Sequence, residues 1–230
     1  MLTSVPPALW RLATRSPPAS LAAPARTARF REGTTRGVQP LADVYLPERP
    51  HGSSVVLVHG GGFVFGSRRM YAIRYVADGL VQAGHGVVCM DYRLIFRGGR
   101  LDEALTDVID ATTWWRGQAP EHGMAPDRIA VVGCSAGAAL ALLACGELPW
   151  VDRQVGIYGC YDFERLPGHP LTLGPRVLLR SAEPQDWVER SPLRRARHPG
   201  PLLLQHGLDD TLVQPDHSRA LAALGRHREA

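Results

Sequence analysis

The sequence predicts an α/β fold with one mostly parallel sheet that helices cover on both faces. Three observations support this prediction. Short continuous apolar runs, typical of strands buried on both faces, alternate with segments of helical periodicity. Glycine-rich turns follow several of these runs. The length of 230 residues suits one such domain, with helices on both faces of the sheet.

Composition and charge exclude several classes of function. A hydrophobic content of 45% and a charged content of 21% are typical of a globular protein. All 26 basic residues are arginines, and they are scattered without interleaved aromatic residues, so the net charge of +4 does not indicate nucleic-acid binding. No apolar run is long enough for a membrane span, and Arg11 and Arg15 interrupt the position of a secretory signal. We therefore expect a cytoplasmic protein.

The four cysteines have no C-x-x-C spacing, and most of them lie in predicted buried elements. We expect reduced thiols in the core, and neither a disulfide framework nor a zinc site. These residues are Cys89, Cys134, Cys145 and Cys160.

The chain divides into an N-terminal arm of residues 1–35 and a domain of residues 36–230. The arm is rich in proline, alanine and arginine, and it predicts one short helix around Ala8–Thr14 before irregular chain to about Phe30. The predicted strands are Leu41–Leu46, Ser54–His59, Gly86–Arg93, the run before Gly133, Val155–Gly159 and Pro201–Gly207. The predicted helices are Tyr71–Ala83, Leu101–Gln118, the segment from Ser135 to about Cys145, and Pro215–Leu224. Residues 162–197 are proline-rich and predict a cap-like insertion with short helical pieces.

The stretch Gly133-Cys134-Ser135-Ala136-Gly137 joins a predicted strand to an apolar helix of small residues. In that context G-x-S-x-G forms a sharp turn that exposes the serine as a nucleophile. Glycine is required because the strained turn brings strand and helix too close for side chains. The flanking strand and helix carry this signal, since the pentapeptide alone is weak. Ser135 is therefore the predicted nucleophile.

A second motif, His59-Gly60-Gly61-Gly62, lies at the end of a strand on the same edge of the sheet as Ser135. Without side chains, backbone N–H groups can point at a ligand oxygen. This predicts an oxyanion hole formed by the N–H groups of Gly61, Gly62 and Ala136. The alternatives are a flexible glycine turn and a phosphate-binding loop, and the second lacks the lysine that such a loop requires.

Four motifs occur in an order that resembles the α/β-hydrolase fold, and within it the hormone-sensitive-lipase-like esterases and their carboxylesterase relatives. The motifs are His59-Gly60-Gly61-Gly62-Phe63, Asp91-Tyr92-Arg93-Leu94, Gly133-Cys134-Ser135-Ala136-Gly137 and His206-Gly207-Leu208-Asp209-Asp210. The resemblance covers about residues 40 to 225. It implies Ser135 as nucleophile, the three N–H donors named above, and a structural turn at Asp91.

Two carboxylates, Asp209 and Asp210, compete for the role of the acid. The family's spacing H-G-x-x-D-x-x-V selects Asp210 and leaves Asp209 as an exposed turn residue. The acid's task is to accept the imidazole N–H and to stabilise the imidazolium.

The sequence does not identify the histidine base. The family's order is serine, acid, histidine, and only His217 and His227 follow Asp210. At ~1.5 Å per residue His227 would lie on the order of 20 Å down the last helix. We expect His217 to be an exposed residue of that helix's first turn. His206 is expected to be a structural residue at a strand end, and His59 to shape the oxyanion loop.

The family's last strand and the histidine loop after it are therefore expected to be missing from these 230 residues. An uncovered sheet edge invites pairing with another chain, so self-association is expected there.

These observations predict a serine hydrolase of carboxylic esters that works through an acyl-enzyme, without metal or cofactor. The expected partner is a small-molecule ester, and the short insertion favours small acyl groups. Amide hydrolysis and acyl transfer use the same machinery and stay open. The alternative is a truncated or non-catalytic α/β-hydrolase-like protein that lacks the triad histidine.

Overall fold

The computed structural model describes residues 21–33, 39–166, 174–195 and 200–226. Over these ranges the strands are β1 (Arg26–Arg29), β2 (Leu41–Tyr45), β3 (Ser54–Val58), β4 (Gly86–Met90), β5 (Ile129–Cys134), β6 (Arg153–Ile157) and β7 (Leu202–Gln205). The α-helices are α1 (Tyr71–Gln82), α2 (Leu101–Gln118), α3 (Ala136–Glu147), α4 (Gly174–Leu179), α5 (Pro184–Arg190), α6 (Pro192–Arg195) and α7 (Asp216–Arg226). Short 3₁₀ turns occupy Ile95–Arg97 and Ala119–His122.

The strands form one sheet in the order β1-β2-β4-β3-β5-β6-β7. The β1–β2 and β2–β4 pairs are antiparallel, and the other four pairs are parallel. This confirms the predicted α/β class and the mostly parallel sheet. Because the ends of parallel strands share an edge, the turns after β3, β4, β5, β6 and β7 meet along one side of the domain.

Strand β1 contradicts the expectation of irregular chain up to about Phe30. Its four residues are alternately half-buried and exposed, and they pair with β2 at the edge of the sheet. The strand carries no apolar run, so periodicity could not reveal it. Main-chain pairing and the hydrogen bond from the Thr27 hydroxyl to Asp43 hold it in place. The helix predicted around Ala8–Thr14 lies outside the described residues.

Helices cover both faces of the sheet, as the sequence predicts. Along β3, Val55 and Leu57 pack with α1, whereas Val56 and Val58 pack in the core that α2 and α3 share. Successive side chains of a strand point to opposite faces, so a run of apolar residues is required when both faces are buried. The strand is completely buried.

The segment between β6 and β7 packs against α2. Arg190 of α5 is paired with Asp102, and Arg180 is paired with Glu103 at 3.0 Å. Leu178 is buried in the core. The short helices agree with the pattern predicted for this segment. The division at residue 35 and the role of this segment as a cap stay predictions.

The far edge of the sheet is β7, which pairs with β6 alone among the strands of the described ranges. After β7 the chain continues into α7, and no further strand follows within residues 200–226. Leu202 and Leu203 are 38% and 62% exposed on this edge. All four cysteines are free and buried. Among the helices described, none has both the length and the hydropathy needed to cross a bilayer.

Candidate active site

Ser135 lies in a sharp turn between β5 and α3. Its backbone has φ 53° and ψ −119°, a conformation that a residue with a side chain adopts only under constraint. Its N–H donates to the carbonyl oxygen of Ile157 at 2.9 Å, which ties the turn to the end of β6. The residue is partly exposed, although its neighbours in β5 and α3 are buried. The turn therefore presents the hydroxyl at the edge of the sheet.

The two glycines of the motif are fixed by backbone packing. A Cβ on Gly133 would lie 2.2 Å from the carbonyl oxygen of Gly137, and a Cβ on Gly137 would lie 2.3 Å from that of Val58. No side-chain rotation can relieve a clash with backbone. The requirement for glycine at both positions, expected from the sequence, agrees with this geometry.

The glycine loop after β3 lies directly against this turn. A Cβ on Gly60 would be 3.1 Å from the Cβ of Ser135. Gly61 and Gly62 have φ values of 123° and 60°, and the Gly61 carbonyl accepts hydrogen bonds from the two residues that close the loop. In the described part of the chain, the N–H groups of Gly61, Gly62 and Ala136 donate to no protein acceptor. Three free donors thus belong to the two turns that meet at Ser135.

His59 is a buried residue that holds the glycine loop in place. Its ring is buried and stacks on Tyr92 with centroids 4.2 Å apart, and the Tyr92 hydroxyl donates to the His59 carbonyl oxygen. Its Nδ1–H donates to the carbonyl oxygen of Gly60 at 2.7 Å. Burial lowers the pKa of His59 below its usual 6.5, so the ring stays neutral. The residue shapes the loop, as expected from the sequence.

A buried ion network fixes the far end of the same loop. Arg68 pairs with Asp91, its N–H donates to the Asp91 carboxylate at 2.7 Å, and its Nε lies 3.0 Å from Asp43. Burial acts to raise the pKa of Asp43, but hydrogen bonds from Thr27, Arg68 and Arg69 outweigh it and hold that pKa below 3.8. The network joins β2 and the end of β4 to the glycine loop.

The loop after β7 carries the two candidate acids. Asp210 accepts the N–H groups of Leu212 and Val213 on Oδ1, at 2.9 and 3.0 Å, and its Oδ2 lies 3.6 Å from Nε2 of His206. Asp209 is exposed. Of the two, Asp210 is held in a defined orientation by the loop, and its role as the acid stays a prediction.

Tyr158, the residue after β6, lies between the serine turn and this loop. Its N–H donates to the Gln205 carbonyl oxygen at 2.7 Å, and the carbonyl oxygen of the preceding Ile157 accepts the Ser135 N–H. Burial raises the pKa of Tyr158, and the charges of Cys134 and Asp210 raise it further. Tyr158 therefore connects the end of β6 to the end of β7, the strand that leads into the loop carrying Asp210. The sequence analysis missed Tyr158 because a tyrosine at a strand end has no distinctive signal.

Comparison with known proteins identifies the fold. Residues 42–149 match the family model described as BD-FAE. A truncated carbohydrate esterase from gut microbiota superimposes with a TM-score of 0.75, covers 93% of this chain and 87% of its own, and is 18% identical. Esterase 2 of Thermogutta terrifontis superimposes with a TM-score of 0.72, with 91% and 81% covered and 21% identity. The chain has the α/β-hydrolase fold.

Curated relatives of this chain include esterases. Esterase LipC of Mycobacterium tuberculosis is 32% identical over 92% of the chain, which spans 59% of LipC. The non-reducing polyketide synthase ausA of Aspergillus calidoustus is 31% identical over 72% of the chain, which spans 6% of that protein. The chain thus spans less than two thirds of the length of either relative. It resembles the carboxylesterases named in the sequence analysis.

The expectation for His217 is wrong. Its side chain is buried, and its Nδ1 accepts the N–H groups of Tyr161 at 3.2 Å and Asp162 at 3.1 Å. Burial lowers its pKa below 6.5. A histidine in a first turn is ordinarily exposed, but here α7 packs against the turn that follows β6. The His217 ring holds the turn after β6 in place through these two hydrogen bonds, and it has no hydrogen bond with Ser135.

His206 also has a structural position, as expected from the sequence. Its Nε2–H donates to the carbonyl oxygen of Val213 at 2.8 Å, and its Nδ1 bonds to the hydroxyl of Ser218 at 2.7 Å. It therefore joins the end of β7 to the acid loop and to α7. His227 lies outside the described residues. Within the part of the chain that the structure describes, no histidine is hydrogen-bonded to Ser135.

Proposed function

We propose that this α/β-hydrolase is a serine hydrolase of carboxylic esters, with Ser135 as nucleophile. The observation that carries the proposal is the contact between the glycine loop and the serine turn. Gly60 lies against Ser135, and the free N–H groups of Gly61, Gly62 and Ala136 belong to the two turns that make this contact. A nucleophile beside unpaired backbone donors is the arrangement that acyl transfer requires.

The reaction proceeds in two steps. The Ser135 oxygen attacks the acyl carbonyl carbon, and the carbonyl oxygen becomes an oxyanion that the three N–H groups stabilise. Collapse of this intermediate expels the alcohol and leaves an acyl-enzyme. Water then attacks the acyl group, which releases the acid and restores the serine. Both steps need a base to remove a proton.

We propose that the base is a histidine outside the described residues, oriented by Asp210. The carboxylate is positioned for this task because the loop binds Oδ1 through two N–H groups, and Oδ2 has only the 3.6 Å approach of His206. His59 and His217 each bond to other groups through Nδ1, and His206 does so through both ring nitrogens. No step of the proposed mechanism uses a metal or cofactor.

We propose small acyl esters as substrates. The shortness of the segment 162–197 supports small acyl groups. The isoprenylcysteine alpha-carbonyl methylesterase ICME of Arabidopsis thaliana, 28% identical over 81% of this chain, supports ester hydrolysis without indicating the size of the acyl group. We also propose a cytoplasmic location, which suits four free, buried cysteines.

The test is turnover of p-nitrophenyl acetate and butyrate by the wild type and by Ser135→Ala. We expect the variant to lose the enzymatic rate. Ser53→Ala is the matched control, since Ser53 lies at the opposite end of β3 and bonds to His85. Equal rates for wild type and Ser135→Ala would refute the proposal.

A non-catalytic binding protein is the second candidate function. It is favoured by the position of the described histidines, none of which bonds to Ser135. A fluorophosphonate probe separates the two functions, because it labels an activated serine at neutral pH. Rapid labelling that Ser135→Ala abolishes supports the hydrolase. A folded wild-type protein that the probe does not label supports the binding protein.

We propose that the open edge of β7 pairs with β7 of a second copy. Leu202 and Leu203 are exposed there, the strand has no charged residue, and the edge is unpaired within the described ranges. Sedimentation of the wild type and of Leu203→Lys tests this. A dimer that the lysine dissociates supports the pairing, and a monomeric wild type refutes it.

A further inference from the structure

A cleft of about 200 Å³ lies beside the glycine loop, between that loop and the chain that leaves β4. Its lining residues come from the start of β2, the loop after β3 and the turn after β4, and they are Gln39, Leu41, Gly66, Ser67, Asp91, Tyr92, Leu94 and Arg97. At about 30 Å³ per water, this space fits a small molecule of a few heavy atoms. The proposed mechanism does not use it.

The cleft shares a wall with the loop that touches Ser135. A Cβ on Gly66 would lie 2.4 Å from the Gly60 carbonyl oxygen, and Gly60 in turn lies against Ser135. The position of the cleft relative to the serine is thus set by two close glycine contacts.

The accepting atoms of the polar lining residues are already used inside the protein. The Asp91 carboxylate accepts from the N–H and the guanidinium of Arg68. The side-chain amide oxygen of Gln39 accepts from the Arg29 guanidinium at 3.1 Å. The Ser67 hydroxyl oxygen accepts from the Arg69 N–H at 3.3 Å. Each of these oxygens already has a partner inside the protein, whereas the Gln39 side-chain N–H groups and the Ser67 O–H donate to no acceptor within the described residues and can donate to a ligand.

Arg97 gives the cleft its charge. The Arg68 guanidinium neutralises Asp91, the acidic lining residue. The Arg97 side chain is exposed, and in the described part of the chain its guanidinium has neither an ion pair nor a hydrogen bond. The cleft therefore combines one uncompensated positive charge with neutral donors, while Leu41 and Leu94 provide an apolar side.

We propose that this cleft binds a small carboxylate, with Arg97 as the charged donor. Guanidinium binds carboxylate through two parallel hydrogen bonds, and the two neutral donors complete a site that favours an anion over a neutral amide. The carboxylate comes either from the ester substrate itself, in which case the inference rests on the proposed hydrolase function, or from a separate molecule.

The first measurement is direct binding, which needs no turnover. Ligand-observed NMR compares butyrate with butyramide on the wild type, Arg97→Gln and Arg153→Gln. Arg153 is a matched control, because it is exposed and lies at the other end of the strands, beside Asp152. We expect butyrate to bind in preference to the amide, and Arg97→Gln to weaken it about tenfold. Equal binding of acid and amide, or equal loss in both variants, overturns the proposal.

The second measurement determines whether the bound carboxylate belongs to the ester substrate or to a separate molecule. The kcat/KM ratio of p-nitrophenyl hydrogen glutarate to p-nitrophenyl butyrate is compared in the wild type and Arg97→Gln. A ratio that falls about tenfold in the variant assigns the carboxylate to the substrate. A ratio unchanged by the variant, with Arg97-dependent butyrate binding, assigns it to a separate molecule. Arg97-dependent binding without any ester turnover supports the cleft while the hydrolase proposal fails.

Discussion

Gly137 of α3 lies so close to Val58 of β3 that a Cβ on the glycine would come within 2.3 Å of the valine carbonyl oxygen. This contact joins the helix after Ser135 to the strand that leads into the glycine loop. This close contact between two backbone segments therefore determines how the glycine loop and the serine turn lie relative to each other.

Gly137→Ala should disturb this approach. The added methyl meets backbone on a buried strand, so we expect a loss of about 1–3 kcal/mol in the free energy of unfolding, measured with urea, together with slower fluorophosphonate labelling. Gly117→Ala in α2 is the control, since a Cβ there meets nothing within 4 Å. That change should instead stabilise the helix by about 0.5–1 kcal/mol. Wild-type stability of Gly137→Ala would contradict the close packing.

Asp210→Asn tests the acid. The amide oxygen can still accept the N–H groups of Leu212 and Val213, so the loop should keep its shape while the charge is lost. If Asp210 orients the base, kcat/KM on p-nitrophenyl acetate should fall, by up to about 10⁴-fold as for other triad carboxylates. Asp209→Asn, at the exposed neighbour, should leave the rate unchanged. A larger loss in Asp209→Asn would reverse the assignment.

Arg68→Met should destabilise the protein strongly. It removes a cation from Asp43, which is buried, and from Asp91. Breaking a buried pair on one side costs about 3–5 kcal/mol. Because Arg69 and Thr27 still bond to Asp43, we expect a loss at the lower end of that range. Urea unfolding measures the loss. Arg153→Gln, whose pair with Asp152 is exposed, should change stability by less than about 0.5 kcal/mol.

The buried ring of His217 predicts a pH dependence of stability. Burial lowers its pKa in the folded state below the 6.5 of the unfolded chain, although Asp162 and Asp216 act to raise it. The His206 and Arg165 charges act in the same direction as burial. As pH falls below 6.5 the unfolded state binds more protons than the folded state. Stability must therefore fall with pH in that range.

The variant His217→Asn removes this titration and keeps an acceptor for the Tyr161 N–H. We expect the free energy of unfolding to fall less steeply between pH 7 and pH 5 than in the wild type, by up to about 1.4 kcal/mol per pH unit. His59, also buried, retains its share of the slope. Identical slopes in variant and wild type would show that the ring is protonated without penalty.

Periodicity predicted most of the fold because the strands and helices bury continuous faces. The helix predicted over Leu101–Gln118 has those bounds in the structure, and the strand from Ser54 extends to Val58. The polar edge strand Arg26–Arg29 escaped detection because its pairing uses main chain and its side chains are largely exposed. Apolar periodicity detects burial, and this strand buries little.

For a similar reason, only some residues of the candidate site could be named from the sequence. Glycines and the serine form local motifs, so Gly61, Gly62 and Ser135 could be named from sequence, and their catalytic roles stay predictions. The burial of His217 depends on the turn after β6, about 55 residues away in the chain. No local pattern contains that contact.

The sequence by itself determined the α/β class, the order of the turns and which residue types lie in them, because these follow from local geometry and from burial on alternating faces. Tertiary structure decided which groups remain available. It bonded both ring nitrogens of His206 and the Nδ1 atoms of His59 and His217 to other groups, and left the Gly61 and Gly62 N–H groups without an acceptor in the described residues. A hydrogen bond has one donor and a defined geometry, so whether a group is free depends on every segment that packs against it.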